Sequence, residues 1–341
     1  MQLRKTAFTV CFGLAVMLVS NVAMAQYQLR NLTSNQVGGA PHVDPLLVNP
    51  WGLAYGPGGP FWISDQASGW STLYNGQGAA KSLQVIVPSA SGAGPGSPTG
   101  IVFNGSPDFQ IQGWGTFFLF ATIDGTISGW SPQTNPNTAI IEVNNSASGA
   151  VYTGLAISSK ASGNFLYAAD VANNKVDVYD GSFNWVTSFT DPTLPAGFAP
   201  FGIQDIGGQL YVAFADASGA PGGAIDIFQE DGTFVRQLAS GKPLNQPWGF
   251  AVAPKNFGKL SNTLLVSNNT NHGTINAFNI QTGQFVGTIR DTNGKNITID
   301  QLWGIEFGGG TANNGHTNQL FFTAGPHNNL AGTFGVISVK K

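Results

Sequence analysis

A glycine that opens a short apolar run recurs six times along the 341-residue chain, and this repeat constrains the fold more than any other feature. The period is close to 50 residues, which is typical of β-propeller blades rather than of helical or leucine-rich repeats. One unit cannot cover its own apolar face, so neighbouring units are expected to pack on one another. The glycines are Gly52, Gly100, Gly154, Gly202, Gly249 and Gly304, separated by 48, 54, 48, 47 and 55 residues.

Each unit contains short apolar runs between turn residues, which predicts strands rather than helices. The sixth unit ends after three such runs, whereas residues 27–33 form a spare run before the first unit. We therefore expect an all-β, six-bladed β-propeller in which the N-terminal strand completes the last blade. Ring closure by this strand would leave no exposed sheet edge.

The first 25 residues have the pattern of a secretory signal peptide. Arg4 and Lys5 precede an apolar run that ends in Ala23-Met24-Ala25, a small-x-small cleavage site. Residues 26–341 are then expected to form a single propeller domain, exported to the periplasm or the extracellular space. Cys11 is the only cysteine and lies within the leader, so the mature chain would have neither a disulfide nor a thiol nucleophile.

Charge and hydropathy exclude some functions for residues 26–341. The chain carries 14 Lys and Arg against 17 Asp and Glu, without the clustered cations that nucleic-acid binding needs. No segment after the leader is long and apolar enough to predict a membrane span. We expect a monomer that binds a small molecule, a glycan or a protein, and no nucleic acid.

The third unit carries a family resemblance. Its runs Leu166-Tyr167-Ala168-Ala169-Asp170 and Asn173-Asn174-Lys175-Val176-Asp177-Val178-Tyr179 resemble NHL-type propeller repeats. The mature chain, with Asn49-Pro50-Trp51-Gly52 and Gln246-Pro247-Trp248-Gly249, also resembles a family of exported bacterial propellers with no assigned function. The resemblance implies the fold but little about activity, because propellers host binding proteins and several enzyme classes.

Two sets of residues are candidates for a ligand site at the mouth of the central channel. Four polar residues end predicted second strands and would ring that mouth, although each is also suited to capping its own turn. Four aromatic residues share the position before the repeat glycine, where they could stack a sugar or an aromatic ligand or pack between blades. The polar set is Asp65, Asp170, Asp216 and Asn268, and the aromatic set is Trp51, Phe201, Trp248 and Trp303.

Three of the four histidines indicate a possible metal site. His42, His272 and His327 precede blade one or lie in loops of blades five and six, which are consecutive in a closed ring. Three imidazoles with an open fourth position suit a catalytic Zn²⁺, and Asp44 or Asp65 could assist. The alternative is that each histidine is solvated loop surface.

Similar propellers widen the metal hypothesis. Some lyases of this architecture place metal or acid–base histidines in comparable loops, and gluconolactonase-like propellers hold a divalent cation such as Ca²⁺ on an axial carboxylate. The glutamate of the latter has no counterpart in Pro50-Trp51-Gly52-Leu53. Glu306 and Asp205 lie on predicted inner strands, where a role as channel residues is the simpler interpretation.

Three functions follow from these observations. The first is an exported binding or interaction module that meets its ligand at the channel mouth. The second is a metal-dependent hydrolase or lyase at the same mouth, and the third is a structural envelope or matrix protein.

Overall fold

The apolar runs of the repeats form strands. Each of the first five repeats builds one four-stranded antiparallel sheet, and the sixth supplies three strands of a sheet that the N-terminal segment completes. The computed structural model describes residues 26–160 and 163–340, so the predicted leader, residues 1–25, lies outside the described residues. The six sheets are arranged as blades around an axis, which confirms the predicted six-bladed β-propeller.

The strands, in chain order, begin with β1 (Gln26–Ser34) and β2 (His42–Val43) and continue through blade 1 as β3 (Pro50–Ala54), β4 (Phe61–Asp65), β5 (Trp70–Tyr74) and β6 (Ala80–Ile86). Blade 2 has β7 (Pro98–Phe103), the hairpin β8 (Gln110–Ile111) and β9 (Trp114–Gly115), β10 (Phe118–Thr122), β11 (Thr126–Trp130) and β12 (Ile140–Asn144). Blade 3 has β13 (Tyr152–Lys160), β14 (Gly163–Asp170), β15 (Lys175–Tyr179) and β16 (Trp185–Phe189).

Blade 4 consists of β17 (Phe198–Asp205), β18 (Gln209–Asp216), β19 (Ala224–Gln229) and β20 (Phe234–Ser240). Blade 5 has β21 (Pro247–Val252), β22 (Leu264–Asn268), β23 (Ile275–Phe278) and β24 (Phe285–Thr288), and blade 6 has β25 (Leu302–Phe307), β26 (Gln319–Ala324) and β27 (Thr333–Lys340). Among the described residues, helical structure is confined to single turns at Ser146–Ser148 and Gly258–Leu260 and to an irregular turn at Pro326–Asn329, where His327 and Asn328 are left-handed. No helix of the described residues is long and apolar enough to cross a membrane.

The N-terminal strand closes the ring as expected. Strand β1 pairs antiparallel with β27, with Leu29 opposite Ile337, and so supplies the outer strand of blade 6. Tyr27 extends this closure to blade 5, because its hydroxyl donates a hydrogen bond of 2.8 Å to the carbonyl of Phe257. Strand β2 adds a short parallel pairing to β1, which the sequence did not predict.

The repeat glycines allow neighbouring inner strands to approach closely. A Cβ at Gly202 would lie 1.9 Å from the carbonyl oxygen of Trp248, and one at Gly100 would lie 2.3 Å from the amide nitrogen of Leu155. No heavy atom fits at such distances, so a side chain would push the strands apart. This crowding explains why glycine recurs at each blade opening.

One cluster of buried apolar side chains lies at each of the six contacts between successive blades. Between blades 6 and 1, for example, Phe61 packs at 4.5 Å from Phe321 and 5.5 Å from Phe334, measured between ring centroids. All three rings are fully buried. Each such side chain contributes about 1.5–3 kcal/mol to stability, so the ring is stabilised at every blade contact.

The two longest repeat spacings reflect insertions. The 54-residue spacing in blade 2 accommodates the hairpin β8–β9, and the 55-residue spacing in blade 5 includes the turn Gly258–Leu260 between its first two strands. Neither insertion interrupts the four-stranded pattern, because each falls between strands.

Candidate functional site: the axial channel

The six inner strands line a cavity of about 370 Å³ on the propeller axis. Its wall consists of apolar side chains together with the backbone of the repeat glycines and a few polar side chains, so polar and apolar atoms contribute to it about equally. Because the strands turn their side chains alternately towards the two neighbouring blades, one residue of each strand after the glycine is buried in a blade contact. These residues are Leu53, Ile101, Leu155, Ile203, Phe250 and Ile305.

Three indoles and one phenyl ring close the end of the cavity where the inner strands begin. Trp51 and Trp303 stack with ring centroids 3.6 Å apart, and Trp248 meets both edge-on at 6.2 and 5.8 Å. Phe201 completes the group at 6.3 Å from Trp51. The indoles are only 3–8% exposed, so this aromatic plug blocks the channel at that end.

Hydrogen bonds hold two of the three indoles. Trp248 Nε1 donates to the carbonyl of Thr153 and Trp303 Nε1 donates to Asn49 Oδ1, both at 3.0 Å. Trp51 Nε1 is buried without a hydrogen-bond partner in the part of the chain that the structure describes. A buried donor left unpaired costs about 1–3 kcal/mol, so packing must hold Trp51 in place.

The backbone before each indole adopts an unusual conformation. Asn49, Gln246 and Gln301 each precede a plug tryptophan by two residues and have φ values of 47°, 53° and 51°. Such left-handed conformations are costly outside glycine and persist where surrounding structure enforces them. The same backbone shape therefore aims all three indoles at the axis.

The opposite end of the cavity, where the inner strands finish, is the one open to solvent. Tyr55, Phe103, Ile157, Asp205 and Glu306 line it and are half-buried rather than buried. The channel is thus a blind pocket that is entered from the strand-end face.

Glu306 gives this pocket its chemical character. Desolvation raises the pKa of its carboxyl to about 8. Tyr55 is close enough for the Glu306 charge to add to the desolvation that raises the tyrosine pKa to about 12, and the Tyr55 hydroxyl donates to the carbonyl of Phe307 at 3.0 Å. Near neutral pH Glu306 is largely a neutral acid that can donate a hydrogen bond.

The structure brings the four predicted aromatic residues together, but as a buried plug. Trp51, Trp248 and Trp303 pack mainly against one another and Phe201, so none of the three indoles presents a fully open ring face. Their contribution to ligand binding stays a prediction.

The predicted polar residues at the strand ends bond mainly to nearby turns and strands. Asp65 is buried and accepts a hydrogen bond of 2.7 Å from Thr72, and desolvation raises its pKa well above the usual range. Asp170 accepts from the amide of Val151 and from Asn173. Asp216 and Asn268 likewise accept from backbone amides, of Ser218 and Asn245 respectively. A ligand role for these four residues also stays a prediction.

The predicted three-histidine metal site is not formed. His272 has a side chain that is 84% exposed and lies 3.4 Å from Asp300 Oδ1, while His327 is exposed and His42 half-buried in β2. Within residues 26–160 and 163–340, no group of three or more His, Cys, Asp or Glu could hold a metal ion. The order of the blades alone did not bring these loop side chains to one point.

The sequence predicted a ligand site at the end of the channel where the inner strands begin, which is the end that the aromatic plug closes. It did not include Glu306 or Tyr55 among the ligand-binding residues. A charged residue on a run that is otherwise apolar was the available signal. Its significance depends on burial, which the sequence pattern does not report.

Comparisons with known proteins identify relatives and a shared architecture. No family model matches the chain. The uncharacterized protein R648 of Acanthamoeba polyphaga mimivirus is 33% identical over 337 residues, covering 92% of this chain and 81% of that protein. This relative is viral, so the expected family of exported bacterial proteins is not confirmed.

Solved structures with the same fold include enzymes. A gluconolactonase from Xanthomonas campestris superposes with a TM-score of 0.57 and 13% identity, covering 86% of each chain. A streptogramin B lyase gives a TM-score of 0.54 and 14% identity over 92% of this chain and 98% of its own. At such identities these similarities establish the fold alone.

Proposed function

We propose that this chain, which belongs to one family with the mimivirus protein R648, binds a small uncharged molecule in the axial pocket. The ligand enters at the Glu306 end and stops at the aromatic plug. The observation that carries this proposal is a neutral carboxyl group at the open end of a cavity whose other end is closed by the aromatic plug.

The pocket favours a particular ligand chemistry. A volume of about 370 Å³ lies in the range of small-molecule sites, which are mostly apolar with a few placed polar groups. The neutral Glu306 donates to a carbonyl, ether or hydroxyl oxygen, while the apolar part of the wall disfavours an unpaired ionic group. An anionic ligand would in addition meet the carboxyl group of Asp205 at the open end.

A second candidate is a hydrolase or lyase that uses Glu306 as its proton donor and acceptor. A pKa of about 8 suits a group that exchanges protons near neutral pH. Two of the fold neighbours are described as a lyase and a gluconolactonase, which adds weight only by analogy.

A thermal-shift screen of small neutral compounds tests the binding proposal. Ile157→Trp fills the open end of the pocket, and Val252→Trp is its matched control because Val252 ends an inner strand outside the cavity lining. We expect to find ligands that raise the Tm of the wild type and of Val252→Trp but not that of Ile157→Trp. A ligand that accepts a hydrogen bond from the Glu306 carboxyl should bind more weakly to Glu306→Gln. Equal shifts in both tryptophan variants would exclude the axial pocket.

The same ligands separate binding from catalysis. Each is incubated with the wild type and with Glu306→Gln, and its mass is followed over time. An unchanged ligand supports a binding protein, whereas a product formed by the wild type and lost in the variant supports the enzyme.

Export remains part of the proposal, on the strength of the leader pattern. Expression of the full chain in a bacterial host, followed by N-terminal sequencing of the recovered protein, is expected to give Gln26 as the first residue. Recovery of an unprocessed chain from the cytoplasm would contradict export.

A further inference from the structure

We propose that a cleft on the rim of the propeller, between blades 2 and 3, binds a neutral saccharide. The cleft has a volume of about 420 Å³ and lies far from the axis, between the outer strand β12 and the strands β15 and β16. It shares no lining residue with the axial pocket. Its lining includes Glu142, Asn144, Lys175, Asp177, Tyr179 and Trp185.

Trp185 provides an aromatic platform at the edge of this cleft. The residue is 59% exposed although it lines the cavity, so part of its ring is free to contact a ligand. Its Nε1 donates to Asp177 Oδ1 at 3.4 Å, which fixes the orientation of the ring. An amphipathic ring with one edge anchored and one face accessible suits stacking against the apolar face of a sugar.

A buried polar network forms the floor of the cleft. Asp177, only 1% exposed, accepts a hydrogen bond of 3.0 Å from the Tyr152 hydroxyl and lies 2.8 Å from Lys175 Nζ. The Tyr152 and Tyr179 hydroxyls are 2.8 Å apart, and Asn145 Nδ2 donates to both at 2.7 Å. Interlocked groups of this kind are held in place before a ligand arrives, which reduces the entropic cost of binding.

The charges of the cleft favour an uncharged ligand. Lys175 and Asp177 neutralise each other, which leaves Glu142 as an acceptor beside the platform. Desolvation raises the pKa of the Glu142 carboxyl above its usual value, although the residue stays exposed at the edge of the cleft. Hydroxyl groups pair well with such mixed donors and acceptors, whereas an anion would meet the carboxylate.

In blades 4 and 5, a preceding loop covers the equivalent position. Asn276 in blade 5 donates to the carbonyl of Pro243 at 3.0 Å, and Asp226 in blade 4 lies against Asp191. Asp177 has the same place in its third strand, but there the cleft remains between it and solvent. In blade 3 this residue is as deeply buried as in blades 4 and 5, and there it forms the floor of the cleft.

The proposal is tested by titrating the full chain with three sugars: cellotriose, maltotriose and triacetylchitotriose. Each is used at up to about 10 mM, because one aromatic platform with a few hydrogen bonds gives dissociation constants near millimolar. Binding is followed by isothermal calorimetry. Trp185→Ala removes the platform, and Trp114→Ala is the matched control, because Trp114 is 53% exposed in the blade-2 hairpin and does not line the cleft. Ser148→Trp obstructs the cleft and removes only the hydrogen bond from the Ser148 hydroxyl to the backbone carbonyl of Asn145, so the side chains of the network keep their partners.

We expect saturable binding of at least one sugar, weakened at least tenfold in Trp185→Ala and Ser148→Trp and unchanged in Trp114→Ala. Glu306→Gln should bind the sugar as the wild type does, which separates this site from the axial pocket. Absence of binding to all three sugars, equal loss in Trp114→Ala, or full affinity in Trp185→Ala would overturn the proposal.

Discussion

At the scale of single residues, burial changes the acid–base behaviour of Glu306. An unfolded glutamate has a pKa of about 4.3, whereas the folded value is about 8. The folded state therefore binds the proton more tightly, so this residue lowers the free energy of unfolding as pH rises from about 4.3 to about 8. Its stabilising contribution is complete below the unfolded pKa and lost above the folded one.

Glu306→Gln should therefore flatten the pH dependence of stability. We expect the variant to gain in Tm relative to the wild type as pH increases from about 5 to about 9, because glutamine does not have to ionise in the pocket. Calorimetric melting across this range measures the difference. Asp216→Asn is the control, since the Asp216 pKa is lowered by its hydrogen bonds to Ser218 and its carboxyl stays ionised throughout. Parallel curves for Glu306→Gln and the wild type would contradict the assigned pKa.

A second prediction concerns a repeat glycine. Gly202→Ala should reduce the free energy of unfolding by about 1–3 kcal/mol or more, as overpacking does, because its Cβ would lie 1.9 Å from the Trp248 carbonyl oxygen. Gly115→Ala is the control, since no described heavy atom lies within 4 Å of a Cβ there. Urea unfolding of both variants measures the effect. Similar losses in the two variants would show that glycine is not needed for close strand approach.

At the scale of elements, the aromatic residues at the start of the inner strands are visible in the sequence, but their packing partners are not. The aromatic residue beside the repeat glycine is readable from the alignment of repeats. Its partners are not, because Trp51, Trp248 and Trp303 come from blades far apart in the chain and meet only at the axis. Side-chain direction and burial there depend on the left-handed backbone at Asn49, Gln246 and Gln301.

The aromatic plug yields a third prediction. Trp303→Phe should destabilise the protein by about 1–3 kcal/mol more than Trp51→Phe, because it leaves Asn49 Oδ1 without the donor it has in the wild type. Trp51→Phe instead removes a buried donor that lacks a partner among the described residues. Chemical unfolding of the two variants decides this. A larger loss for Trp51→Phe would mean that stacking outweighs the hydrogen bond.

The same scale explains which site predictions the sequence supports. The sequence pattern predicts that Asp65 and Asp170 lie at strand ends, and the structure agrees. The pattern does not show whether each side chain caps its own turn or contacts a ligand. Both uses need the same short polar side chain. The histidines illustrate a second limit, since loop order around a ring fixes the sector but not the distance between His272 and His327.

At the scale of the whole molecule, closure by β1 was predictable because it follows from counting strands. The last of the six repeats lacks one strand and the N-terminal segment has one extra strand, so the extra strand is expected to complete the last blade. The rim cleft was not predictable, because it depends on what blade 2 leaves uncovered beside Asp177.

Closure also yields a fourth prediction. Leu29→Pro should lower the Tm markedly, because proline constrains the backbone in the middle of β1, opposite Ile337, and replaces a side chain that packs against the apolar cluster between blades 5 and 6. Val37→Asp is the control, since Val37 lies just after β1 and is 92% exposed, and such surface changes alter stability by about 0.5 kcal/mol or less. Thermal unfolding followed by circular dichroism measures both. An unchanged Tm for Leu29→Pro would show that ring closure contributes little.

The pairing of β1 with β27 has a consequence for synthesis. Residues that leave the ribosome early acquire their partner only when residues 333–340 have been made. A chain interrupted before that point carries an unmatched strand at its beginning and an incomplete sheet at its end. Unpaired strand edges of this kind pair readily with edges of other molecules, so we expect truncated chains to aggregate, whereas the full chain closes its own ring.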